Sequence, residues 1–139
     1  MKSIKLSLSQ IEKADVEDNY NFDESAEKVA NERDQIVVYP KDNQLQIDID
    51  NNEDFEVFEN NMGALDLDCH IAIKPSKSGL PNRHITLTFD DRTFSEYERI
   101  ALQFALGSDP MRECLNIMRL EHGVEQPTRL FENNPRNHE

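Results

Sequence analysis

The sequence predicts a single α+β domain built on a mostly antiparallel sheet with helices packed on one face. Three observations predict it. Strand-length stretches alternate apolar and polar residues at 44–50, 69–75 and 83–89. Helical stripes recur at 52–62, 94–106 and 110–122, and turn residues join the strands as hairpins rather than long crossovers. A length of 139 residues suits one domain that buries a real core.

The chain divides into an acidic N-terminal arm (1–35), a domain (36–132) and a tail (133–139) expected to fray. In the arm only "FDESAEKVANERD" (22–34) reads as a helix, capped by Asp23 or Ser25. "QIVVYP" (35–40) is a β-branched strand ended by Pro40. The turn "KDN" (41–43) then predicts a hairpin into "QLQIDID" (44–50). There Leu45, Ile47 and Ile49 share the core face, while Gln44, Gln46, Asp48 and Asp50 share the polar one.

"NEDFEVFENNM" (52–62) spaces Phe55, Phe58 and Met62 as a short helix behind Asn51 or Asn52 as N-cap. "DCHIAIKPS", the turn "SKSGLPN" and "RHITLTF" form a second hairpin, with His70 a plain strand residue. Thr93 with Glu96 fits a capping box for a helix whose stripe (Phe94, Tyr97, Ile100, Ala101, Phe104, Ala105) is core and which Gly107 ends. Asp109 as N-cap and Pro110 at the first helical position open another, which Gly123 stops. "PTRLFE" reads as a last short strand.

Charge narrows the function. With 28 acids against 15 bases the formal charge is −13, which opposes unaided attachment to nucleic acid or an anionic membrane. Residues 42–68 hold nine acids and no Lys or Arg, whereas 69–139 hold ten acids and nine bases. No stretch approaches the roughly eighteen apolar residues of a membrane helix, and "MKSIKLSLSQ" lacks a secretory signal, so a cytoplasmic protein is expected. Cys69 and Cys114 show no zinc-site spacing and read as reduced core thiols.

Two stretches carry chemistry. Asp48 and Asp50, two apart on a strand, leave the same sheet face and can converge on one hard cation such as Mg2+ or Mn2+. On spacing alone, a solvated polar strand face explains them as well. "KPSKSGLPNRHITL" gathers Lys74, Ser76, Lys77, Ser78, Arg83 and His84 around Gly79, groups able to hold phosphates, and equally a lysine-tipped soluble loop.

Taken together, a strand ending in Asp-x-Asp, a helix, and a hairpin with Ser-x-Ser-Gly and a returning His resemble the catalytic core of the archaeo-eukaryotic primase superfamily, which includes prim-pol domains. The resemblance covers about residues 36–89. It implies an RRM-like core, metal binding by Asp48 and Asp50, and contact of Ser76, Ser78 and His84 with the phosphates of an incoming nucleoside triphosphate. It also implies a third catalytic acid on a later strand, for which Glu132 in "RLFE" is the candidate. The step "GLPNRH" departs from the family's small, glycine-rich one, and the chain is shorter than a complete prim-pol domain.

The expected role is therefore nucleotide or nucleic-acid processing within a replication or repair assembly, with catalysis retained or lost. A rival expectation is a small acidic interaction protein, of viral or mobile-element type, that mimics nucleic acid toward a partner with a basic surface. A scaffolding domain without a local motif is the third.

Overall fold

A computed structural model describes residues 24–76 and 79–134. In chain order the elements are α1 (Ala26–Glu32), β1 (Gln35–Val38), β2 (Gln44–Ile49), α2 (Asn52–Leu65), β3 (His70–Pro75), β4 (Arg83–Thr88), α3 (Glu96–Ala105), α4 (Pro110–Glu121) and β5 (Leu130–Asn133). The fold is α+β with antiparallel sheets. Of the two N-cap candidates for α1, Ser25 accepts from the Lys28 amide at 3.2 Å. Asp23, like the tail beyond Asn134, lies outside the described residues.

The larger sheet has the order β2–β4–β3. Its register sets Leu45 opposite Leu87 and Ile47 opposite Ile85, all fully buried, because alternation brings these rows onto one face. Phe58 of α2 covers that face, with Phe55 and Met62 packed beside it, and Phe89, Phe94 and Leu106 complete the core. Each such side chain contributes about 1.5–3 kcal/mol on burial. At the far edge, β3 stays exposed along its length, Ile71 and Ile73 included.

Residues 35–38 form a strand as expected, but the hairpin into β2 does not form. β1 pairs with β5 instead, Ile36 opposite Glu132 and Val37 opposite Phe131. The reason lies on β2, whose edge away from β4 is already occupied. Arg99 Nε donates to the Gln44 carbonyl (2.9 Å), and the Gln46 amide donates to Gln103 Oε1 (2.9 Å). Arg112 Nη1 donates to the Gln46 carbonyl (2.7 Å), and the Asp48 amide donates to Ser108 Oγ (3.0 Å). The Asp109 amide donates to the Asp48 carbonyl (2.8 Å). The Gln46 side chain still reaches β1, donating to the Val38 carbonyl at 3.1 Å.

Gln103, Ser108 and Arg112 are themselves held by Glu113, which is fully buried. Its carboxylate accepts from Gln103 Nε2 (2.9 Å), Ser108 Oγ (2.7 Å), Arg112 Nη1 (2.7 Å) and Asn116 Nδ2 (3.0 Å). A buried carboxylate is tolerated only when so completely satisfied. Gly107 makes the turn between α3 and α4 at φ +100°, where a side chain would be strained.

The capping box of α3 lies two residues beyond the expected pair. Ser95 accepts from the Glu98 amide while the Glu98 side chain accepts from the Ser95 amide. Thr93 and Glu96 have the same spacing, but the Phe94 amide is committed to the Asp42 carbonyl at 2.9 Å, which keeps residue 94 out of the helix. Both cysteines are free and half-buried, and burial pushes both thiols up. Among the described residues no helix is long and apolar enough to cross a membrane.

Two outcomes are expected. Glu113→Ala strands Arg112 and the polar groups around it, and should cost about 3–5 kcal/mol in urea denaturation, against under about 1 kcal/mol for Lys28→Ala in an exposed ion pair; equal small losses would contradict the network's role. Tyr39 donates to Glu27 Oε1 at 2.6 Å, tying α1 to the end of β1, and its burial, then this bond, push the phenol up to about 12. A raised phenol stabilises the fold below its unfolded value near 10 and loses that contribution as pH rises through about 12. Ultraviolet titration should show one late-ionising tyrosine that Tyr39→Phe removes; titration of all tyrosines near 10 would contradict this.

Candidate functional site

The polar face of the larger sheet carries a row set by register: Asp48 on β2 opposite His84 on β4, which in turn faces Lys74 on β3. Two residues beyond Asp48, just past the end of β2, Asp50 brings a second carboxylate to this site. The third comes from elsewhere. Asp109, held against the Asp48 carbonyl by its own amide, places a carboxylate oxygen so that one from each of Asp48, Asp50 and Asp109 all lie within 4.8 Å of one another. Asp109 does cap α4, accepting from the Met111 amide at 3.1 Å, so one residue serves both the helix and the cluster.

Burial dominates the electrostatics. It pushes the Asp48 carboxyl up to about 6, against an opposing pull from Arg112 and with added repulsion from Asp109 and Glu113. Asp50 and Asp109 are likewise raised, first by burial and then by the charge of Asp48 on Asp50 and of Asp50 on Asp109, while a hydrogen bond with Asp109 pulls Asp50 back down. His84 is lowered by burial, with Glu132 opposing. Its Nε2 stands 3.8 Å from Asp48 Oδ1, too far for a hydrogen bond, which leaves the ring available to a ligand.

A cavity of about 320 Å³ opens beside this row. Asp48, Asp50, Ser76, Asn82 and His84 line one side and Gln35, Leu130 and Phe131 of the β1–β5 sheet another; Arg33, Arg112, Arg119 and Arg129 complete it. The cavity therefore gathers carboxylates, a hydroxyl, an imidazole and guanidiniums in one space.

The residues expected from sequence are distributed as follows. Asp48, Asp50, Ser76 and His84 meet at the cavity. Lys74 is exposed at its margin, with its ammonium 3.3 Å from Glu132. Glu132, the expected third acid, faces that lysine rather than the aspartates, and Asp109 supplies the third carboxylate of the cluster. Arg83, next to His84 in sequence, points to the opposite face. There it stacks over Phe55 at 4.0 Å and donates to Asn52 Oδ1 at 3.1 Å. Lys77 and Ser78 lie outside the described residues. His70 pairs with exposed Asp90 at 3.2 Å, at the far end of β3.

Asp109 and the arginines are the site residues that sequence reasoning missed. Asp109 carried a sufficient explanation as an N-cap, and Arg33, Arg119 and Arg129 come from segments that no local motif joins. Comparison of the chain with protein-family models, curated proteins and solved structures yields no match.

A pH dependence follows from the raised carboxyl. Asp48 favours folding fully below its unfolded value near 4 and loses that contribution as pH rises through about 6, so at neutral pH its ionised form is a burden on the metal-free protein. Asp48→Asn should therefore stabilise the metal-free protein at pH 7.5 by about 1–3 kcal/mol and change it little at pH 4. Equal effects at both pH values in paired denaturation curves would contradict the buried-carboxylate account.

Proposed function

We propose that the protein binds a nucleoside triphosphate together with a divalent cation, Mg2+ or Mn2+, as a prim-pol-like nucleotide-processing domain acting within a replication or repair assembly. The observation that carries this reading is the convergence of Asp48 and Asp50 with Ser76 and His84 on one cavity, with Asp109 completing the carboxylate set. The donors fit the cation: three carboxylate oxygens from three residues, hard ligands of the kind magnesium and manganese take, with no thiolate among them. Such a cation, when bound, neutralises phosphate charge and favours attack at phosphorus.

The chain's own groups have complementary roles. Asp48, Asp50 and Asp109 would hold the cation, and a cation would offset the repulsion among three partly desolvated acids. His84, its pKa lowered by burial and thus neutral at pH 7, can donate one ring N–H to a phosphate oxygen. Ser76 brings a hydroxyl from the hairpin. Nucleotide binding by this set requires no extended basic groove, in keeping with the overall charge of −13.

A second reading draws on α2, which exposes Glu53, Glu56 and Glu59 within the run of acids that has no bases. In that reading this helix presents carboxylates to a basic protein partner, and the cavity is incidental.

Calorimetric titration with Mn2+ and ATP separates the two. The double variant Asp48→Asn with Asp50→Asn should stay folded and lose at least about 100-fold in metal affinity. His84→Ala should weaken ATP binding, whereas His70→Ala should not. Unchanged metal affinity in the double variant would remove the metal site, and salt-sensitive binding to a basic protein would then favour the second reading.

A further inference from the structure

In a chain of net charge −13, four of the eight arginines line the same cavity as the acidic pair. One of them, Arg112, has an evident structural role, since it is bonded to the Gln46 carbonyl, to Glu113 and to the Arg129 carbonyl. The other three come from three different segments. Arg129 uses Nε and Nη2 on the nearby carbonyls of Pro127 and Gln126, which holds the guanidinium in place. Burial lowers its pKa, with Tyr39 and Glu27 opposing, so a cation is kept partly out of water within the field of one nearby acid. Among the described residues neither Arg129 nor Arg33 has a carboxylate within ion-pair distance.

Arg119 enters from the last turn of α4, where its Nη1 donates to Asn116 Oδ1 at 2.8 Å and is thereby oriented. Asn116 is itself fully buried and bonded to Glu113, so this arginine is aimed by the same network that closes the edge of β2. Arg33 follows α1, on the exposed rim. Thus three segments remote in sequence deliver guanidiniums to one concavity.

We infer that Arg33, Arg119 and Arg129 form an anion subsite that holds the terminal phosphates of a nucleoside polyphosphate. The choice of a nucleotide rests on the function proposed above; the anion subsite itself does not. Guanidinium forks match phosphate oxygens and remain charged under all ordinary conditions. A ligand carrying phosphate at one end and needing a cation near its reacting phosphorus would span from these arginines to Asp48 and Asp50. About 320 Å³ lies at the small end of the range for small-ligand pockets, which favours a free nucleotide over a duplex. The hairpin residues Lys74 and Arg83 are engaged elsewhere, with Glu132 and Phe55, so the phosphate-binding charge comes from the arginines rather than from that loop.

The test uses the full chain with inorganic tripolyphosphate in the absence of metal, then ATP with Mn2+, then a 5′-phosphorylated single-stranded oligonucleotide. Arg119→Gln with Arg129→Gln should weaken tripolyphosphate binding by on the order of tenfold per guanidinium, with Mn2+ affinity unchanged. Arg33→Gln, on the exposed rim, reads the same loss if the double variant fails to fold. Asp48→Asn with Asp50→Asn should do the reverse, losing Mn2+ and keeping tripolyphosphate. Tripolyphosphate affinity unaltered by the arginine substitutions, or no saturable binding to the parent protein, would overturn the subsite. Arginine-dependent tripolyphosphate binding without any Mn2+ site would leave the subsite standing and remove the proposed metal-dependent function. An oligonucleotide binding tenfold more tightly than ATP would overturn the assignment to a free nucleotide.

Discussion

The structure depends on how the second edge of β2 is satisfied. A strand in the middle of a fold with only one strand partner leaves a row of amides and carbonyls to be matched, and burying them unmatched is costly. Here five backbone groups of residues 44–48 are matched by α3, α4 and the turn between them, through Arg99, Gln103, Ser108, Asp109 and Arg112. The anchor is Glu113, fully buried and accepting from four partners. That solution displaces β1 to β5 and fixes the start of α4 against Asp48. The clustering of Asp109 with Asp48 and Asp50 is thus a geometric consequence of closing an edge. The same network orients Arg119 through Asn116.

Electrostatics then distinguishes the cavity from the rest of an acidic surface. Exposed carboxylates, such as those along α2, repel weakly because water screens them. Asp48, Asp50 and Asp109 are partly removed from water and close together, which raises all three and makes a cation at that point worth more than elsewhere on the protein. Arg129, which lines the same cavity, is a partly desolvated cation. The cavity thus brings desolvated carboxylates and guanidiniums together in one space.

Much of this was legible in the sequence wherever local pattern decides structure. The strict alternation of 44–49 gave both the core face and the shared direction of Asp48 and Asp50, and the turn chemistry of 76–82 gave the hairpin that returns His84 to face Asp48. Arg83, expected beside His84 at the phosphate site, instead stacks on Phe55, because adjacent strand residues face opposite sides. What the sequence could not convey was long-range. Asp109 already had a local explanation as the cap of α4, and only the edge of β2, some sixty positions earlier, gives it a second. Turn signals at 41–43 were real, yet the strand pairing was decided by side chains of α3 and α4. Glu132 fell on the expected strand but faces Lys74, because β5 pairs with β1 and not with the larger sheet.

The most direct measurement is a map of amide broadening by substoichiometric Mn2+ in the nitrogen-15 NMR spectrum, recorded with and without ATP. Broadening should centre on residues 48–50, 84 and 108–110, and should appear at lower Mn2+ concentration when the nucleotide is present. Broadening spread along the exposed acids of α2 and absent from residues 108–110 would contradict the three-carboxylate site, and would mean that the cavity holds no preferred cation.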